Sequence, residues 1–215
     1  MKLKTLLCGI VAATFGIAAA LPLQAQTAGK EFTEINPVQP TDNQAKIEVL
    51  EFFSYGCIHC YKLHPHAKKW AAAAAKDVEF KRVPVTFDRP QMVPMAKLFY
   101  TLEATGDMAR LDDLVFRAVH DEGVALATDK AVLEWVGKQG VDLKKFTDTY
   151  NSFGIQSKVQ RAAQLTKAYR VAGTPQVYVN GRYAIRNEGM SGYDQIMTVT
   201  GQLVDKVRAE KGKKK

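Results

Sequence analysis

Cysteine is almost missing from this chain: there are three in 215 residues, at positions 8, 57 and 60. A disulfide-stapled scaffold uses several bridges of longer reach, so that class is excluded. Basic residues are not interleaved with aromatic ones. The formal net charge is +8, but part of the excess is a terminal block, Lys211, Lys213, Lys214 and Lys215. Such blocks are solvated tails, and no nucleic acid partner is expected. A structural zinc site needs a second ligand pair at a distance, and the sequence has none to complete Cys57-x2-Cys60-x3-His64. Tyr61 stands where a c-type haem attachment needs a histidine. No metal and no cofactor are expected.

Long apolar runs are also scarce, and the first one reads as an address. Met1-Lys2-Leu3-Lys4 is a short basic head, Thr5 to Leu21 is mostly apolar or small, and Leu23-Gln24-Ala25 ends in a small residue. That pattern is a secretory signal peptide over residues 1–25. A membrane anchor is the alternative, but the run is short, rich in Ala, Gly and Thr, and closed by Pro22. Cleavage would remove Cys8 and two lysines, leaving Cys57 and Cys60 as the whole cysteine content. The mature protein is then not expected to span a membrane.

The whole chain is 47% hydrophobic, enough for one proper core. Phe32 to Ile35 reads as a short edge strand closed by Pro37 and Pro40. Ile47 to Phe53 is nearly continuous in apolar character, as in a central strand covered on both faces. Cys57 to Lys76 reads as a helix holding Pro65, and Val78 to Val85 alternates like a strand. Strand, helix and strand imply a parallel pair. From about 87 to 153 the periodicity is helical, with turn signals at Gly106, Gly123 and Gly140 and N-caps at Thr128-Asp129 and Asp142. Ser157 to Arg170 continues as a helix. Two alternating runs around Asn180-Gly181 predict a hairpin, and a last helix runs from Ser191 or Asp194 to about Ala209.

Everything is arranged around Cys57-Ile58-His59-Cys60, set between a strand and a helix. A bridge across so short a loop removes little chain entropy, so its purpose is chemical. Cys57 belongs at the helix N-terminus, where free N–H groups and the helix dipole favour a thiolate, and His59 can add a donor or positive charge. Cys60, one turn on, is within bridging reach and is the buried partner. Glu51 lies in the apolar strand, where an unpaired carboxylate is costly, and Lys81 on the next strand is its expected partner. His64, His66 and His120 are expected on helix surfaces or in the helical block. Tyr55 and Trp70 are expected in the core.

Three stretches together resemble the DsbA-type thiol oxidases of the thioredoxin superfamily: Glu51 to Tyr61, Val78 to Arg82, and Gly173-Thr174-Pro175 through Gly181. The resemblance implies an α/β thioredoxin fold with an inserted helical domain. It divides the chain into 26–85, a helical insertion over 86–160, 161–210, and a basic tail over 211–215. It implies a dithiol oxidase in the periplasm of a Gram-negative bacterium. Such an enzyme gives its Cys57–Cys60 disulfide to newly exported proteins with free cysteines and is reoxidised by a DsbB-type quinone-linked membrane partner. A stabilised Cys57 thiolate makes the disulfide form the stronger oxidant, a direction of which DsbA-type enzymes are the standing example. The family also implies that Glu51 and Lys81 tune the local charge and relay protons. It implies a cis Pro175 facing the cysteines, with the Thr174 backbone turned outwards to pair with an extended client. Two departures stand out: most members have Pro where this chain has Ile58, and many have Val in place of Thr174. Both positions tune redox power and client choice. A reductase or isomerase on the same fold is the alternative enzyme, though isomerases add a dimerisation region and none is visible before Phe32. A module using the cysteines to bind metal is the alternative from another class. A monomer is expected.

Overall fold

The computed structural model describes residues 30–213. The expected signal peptide over residues 1–25, with Cys8, lies outside the described residues, as do Lys214 and Lys215. Five strands form one sheet in the order β1-β5-β4-β2-β3. They are β1 (Phe32–Glu34), β2 (Ile47–Phe53), β3 (Val78–Pro84), β4 (Gln176–Val179) and β5 (Tyr183–Ile185). The apolar β2 lies at depth, with every residue buried. β2 pairs parallel with β3 and antiparallel with β4. The parallel pair is joined through α1 (Ile58–Ala73), the crossover that a strand–helix–strand sequence requires.

Alternation along β2 sends its two sets of side chains to different layers. Ile47 and Val49 pack with Leu63 and Ala67 of α1 and with Ile196 and Leu203 of the last helix, α7 (Tyr193–Gly212). Leu50 and Phe52 pack on the other face with Val83, Ala162 and Tyr169. Four more helices, α2 (Val93–Thr105), α3 (Met108–His120), α4 (Asp129–Gly137) and α5 (Leu143–Tyr150), lead into α6 (Phe153–Ala168). Their core contains Phe99, Leu102, Phe116 and Trp135, and it closes over Phe53, Tyr55 and Cys60. The helical block therefore shares a core with the cysteine pair. This is the expected α/β thioredoxin fold with an inserted helical block. The boundary expected at residue 160 falls inside α6. No helix among the described residues is long and apolar enough to cross a membrane.

Local chemistry sets several element ends. Thr128 Oγ1 accepts from Ala131 N–H and Asp142 Oδ1 accepts from Lys145 N–H, capping α4 and α5. Ser152 caps α6 in the same way, which starts that helix four residues before the expected Ser157. At the other end of the chain, Lys211 is still helical. Its Nζ donates to the Gln44 and Lys46 carbonyls at 3.0 and 2.7 Å, so the basic tail begins docked rather than solvated.

In the β4–β5 turn, Asn180 and Gly181 both have positive φ, 53° and 64°. The Gly181 carbonyl accepts from Gln39 N–H at 2.8 Å. A side chain at 181 would collide with the Gln39 carbonyl oxygen. Gly181→Ala is therefore expected to cost about 2 kcal/mol or more, lowering Tm by roughly 5 °C. An unchanged melt would mean that the turn does not rest on the segment carrying Gln39.

Candidate active site

β2 ends at Phe53, and the next three residues turn the chain into α1. The Ser54 carbonyl accepts from Cys57 N–H at 3.1 Å, and Ser54 Oγ accepts from Gly56 N–H at 3.2 Å. Cys57 becomes the N-cap of α1, with extended dihedrals and a partly exposed sulfur. Cys60, one turn on, is fully buried. The two stand as free thiols.

Their environments drive the two sulfurs apart. Cys57 is pulled down from 9.0 to about 5, first by a hydrogen bond from the Cys60 thiol, against the effect of burial. The Thr174 hydroxyl and the backbone N–H groups of Cys60 and His59 add to it. These are the free donors of a helix N-terminus aimed at an anion. Cys60 is pushed far above the usual thiol range, first by burial and then by its neighbour Cys57. One sulfur is a thiolate at neutral pH and the other holds its proton.

Thr174–Pro175 is cis, and the Thr174 carbonyl lies 3.3 Å from Cys57 Sγ. Asn187 Nδ2 donates to the Pro175 carbonyl at 2.5 Å. Alongside runs a groove of about 490 Å³ lined by His59, Thr174, Pro175, Met190, Tyr193 and Ile196. Ile58, 43% exposed, stands next to Cys57 at the start of α1. The His59 ring does not turn to the sulfur for its hydrogen bond: Nδ1 pairs with Tyr193 Oη at 2.8 Å. Sequence patterns had no means of showing Tyr193, because it arrives from α7, 134 residues away.

Glu51 is 1% exposed. Burial raises it from 4.5 to about 7; Arg82 opposes the rise, and the charges of Asp112 and Cys57 add to it. Its expected partner, Lys81, is elsewhere. Lys81 Nζ reaches Asp42, Glu48 and Glu79, each at 3.1 Å. The register explains the correction: Leu50 stands opposite Lys81 and Glu51 opposite Arg82. Neighbouring residues of a strand point to opposite faces, so Arg82 is the cation on the cysteine side of the sheet. Its Nε stands 3.5 Å from Glu51 Oε2, and its Nη1 donates to Asp112 Oδ2 at 2.7 Å. Tyr55 Oη donates to Asp112 Oδ1 at 2.6 Å.

His64 departs from expectation too. It is buried, with Nε2 2.7 Å from Asp113 and 3.5 Å from Asp112. Burial, with Arg82 nearby, lowers its pKa against the pull of both aspartates. His66 is exposed, as expected. His120 Nε2 meets the Tyr55 carbonyl at 2.8 Å, and its ring stacks on Tyr61. Among the described residues, His64, Asp112 and Asp113 bring ligand atoms within 4.8 Å of one another. Arg82 and Lys68 already neutralise those two carboxylates.

Known proteins resemble this chain in sequence and in fold. The profile of the DSBA-like thioredoxin domain family matches residues 48–204. The chain is 41% identical over 182 residues to the thiol:disulfide interchange protein DsbA of Burkholderia cepacia, covering 84% of each. It is 44% identical over 160 residues to the protein of that name from Bordetella pertussis, covering 74% of this chain and 75% of the relative. The crystal structure of Pseudomonas aeruginosa DsbA superimposes with a TM-score of 0.81 at 36% identity, covering 87% of this chain and 97% of that one.

Proposed function

This chain belongs to the DSBA-like thioredoxin domain family, and we propose that it is the dithiol oxidase through which exported proteins acquire disulfides. It is a thiol:disulfide oxidoreductase. The observation that carries the direction of the reaction is the asymmetry of the two sulfurs: Cys57 falls to about 5 while Cys60 rises. A thiolate stabilised only when the bridge is open makes the bridged form an oxidant.

In the first step a client thiolate attacks Sγ of Cys57 in the Cys57–Cys60 disulfide. The Cys57–client bond forms, and Cys60 leaves with the electron pair of the broken bond. Cys60 then takes a proton, and Glu51, raised to about 7, is the acid that supplies it. A second client thiolate attacks the client sulfur of the mixed disulfide, and Cys57 leaves as a stable thiolate. The client has lost two electrons and the enzyme has gained them. Reoxidation by a DsbB-type membrane partner reverses the bookkeeping, with Glu51 accepting the Cys60 proton.

Thr174 offers its backbone beside Cys57, where an extended client segment adds as a strand, and the groove beyond Pro175 takes the client's apolar side chains. Ile58 and His59 tune the pair from the first turn of α1. The 1–25 signal, periplasmic location and monomeric state belong to the same reading.

Titrating the thiolate absorbance of the reduced protein against pH tests it, together with equilibration against glutathione. A Cys57 midpoint near 5 and a disulfide readily reduced by glutathione are expected, with reduced peptides oxidised in the absence of metal. A midpoint near that of free cysteine would turn the enzyme into a reductant.

A further inference from the structure

Arg82 is one guanidinium between two buried carboxylates, and the structure does not share it evenly. Its Nη1 binds Asp112 at 2.7 Å, whereas its Nε stops 3.5 Å short of Glu51. Neither Arg82 Nε nor Glu51 Oε2 has a hydrogen-bond partner. The guanidinium is held in this place from two sides: its centre sits 3.9 Å over the Phe53 ring, and Asp112 is fixed by the Tyr55 hydroxyl at 2.6 Å. Asp112 comes from α3, in the inserted block, while Arg82 and Glu51 come from the sheet.

We propose that Asp112 is a positioning residue of the redox centre: by claiming Arg82, it keeps Glu51 out of a hydrogen-bonded ion pair and so leaves it free to gain and lose a proton beside Cys60. A carboxylate in a close pair with arginine is locked ionised across the physiological range and is a poor proton donor. Glu51 at about 7 is poised to trade protons: burial raises it most, Arg82 at 3.5 Å pulls it back only in part, and the Asp112 charge adds to the rise. The inserted helices therefore contribute a functional group to the redox centre as well as covering it.

The other charged or titratable groups on the surrounding elements are spoken for. On α1, the two sulfurs lie beside Glu51, and His64 and Lys68 pair with Asp113 of α3. On α2, Glu103 faces Lys158. His64 also stands 3.5 Å from Asp112, and Glu103 also feels the Arg82 charge, but the hydrogen-bonded anchor of Arg82 is Asp112.

This inference rests on the role given to Glu51 above, and the test separates the two. In glutamate-labelled protein, the Glu51 carboxyl carbon is followed by NMR against pH, assigned by its loss in Glu51→Gln. The wild-type signal should titrate near neutrality. In Asp112→Asn the midpoint should fall by about one pH unit or more, a tenfold change in proton affinity, and Asp112→Glu should bring it back towards the wild-type value. A midpoint that does not move in Asp112→Asn overturns the inference. Should that variant not fold, the wild-type titration decides alone: a Glu51 signal already fully ionised at pH 5 overturns it, and titration near neutrality supports it. If instead Glu51→Gln leaves the pH profile of client oxidation unchanged, the proton-carrying role of Glu51 fails, whatever its midpoint.

Discussion

Cys57→Ser is expected to abolish client oxidation, a loss of about 10³-fold or more on the scale felt when a nucleophilic partner is removed. Cys60→Ser should fail differently, by accumulating covalent adducts. The distinction follows from access and leaving-group strength. Cys60 is fully buried and Cys57 is not, so an incoming thiolate meets Cys57 alone. Without Cys57 the remaining thiol is both shielded and protonated, held far above the usual thiol range by burial, and has neither the access nor the charge to exchange. In Cys60→Ser the introduced hydroxyl can take over the donor role of the Cys60 thiol, the Thr174 hydroxyl and the helix N-terminal N–H groups remain, and Cys57 keeps enough thiolate beside its approach groove to exchange with any disulfide offered. No neighbouring thiol is then present to release it. Mass spectrometry under non-reducing conditions, after mixing each variant with a disulfide-containing peptide, reads both outcomes. Adducts forming at Cys60 in Cys57→Ser would reverse the assignment of the two sulfurs.

Opening the disulfide should stabilise the fold at neutral pH and stop doing so in acid. Cys57 falls from 9.0 in the free thiol to about 5 in the folded chain. A depressed pKa contributes stability in full above 9 and loses it as the pH falls through about 5. At pH 7 the folded group is ionised and the unfolded one is not. The two pH units between 7 and 5 correspond to about 2–3 kcal/mol. Only the reduced form has this group to ionise. Glu51 has the opposite sign: raised from 4.5 to about 7, it contributes stability below 4.5 that disappears as the pH rises through 7. Because Glu51 is present in both redox forms, most of its effect cancels in their difference. The melting temperature of the reduced protein minus that of the oxidised protein should therefore increase by roughly 5–10 °C between pH 4 and pH 7. A difference independent of pH would mean that the thiolate is not what separates the two forms. The three-residue separation of the cysteines makes the loop-closure contribution of the bridge small and insensitive to pH.

Several features were legible because their physics is local. The cysteine pair after a buried strand, the Thr128 and Asp142 caps, and the positive-φ turn at Asn180-Gly181 each follow from a few neighbouring residues. Arg82 was not legible. Lys81 and Arg82 are adjacent cations on a half-buried strand, and composition cannot say which faces the cysteines. One step of register decides it, and that step places Lys81 among Asp42, Glu48 and Glu79 on the far side. His64 reads as a surface residue from its helix alone, until α3 brings two aspartates against it. Residues 51 to 61 by themselves set a reactive cysteine pair at a helix N-terminus, because the Cys60 thiol and the N–H donors of that turn are local to Cys57. The charged cluster beneath the cysteine pair was decided by tertiary structure, since Asp112, Arg82 and Glu51 meet only when a helix, an edge strand and a central strand pack together, and electrostatic coupling of that strength exists only over the few ångströms that packing creates.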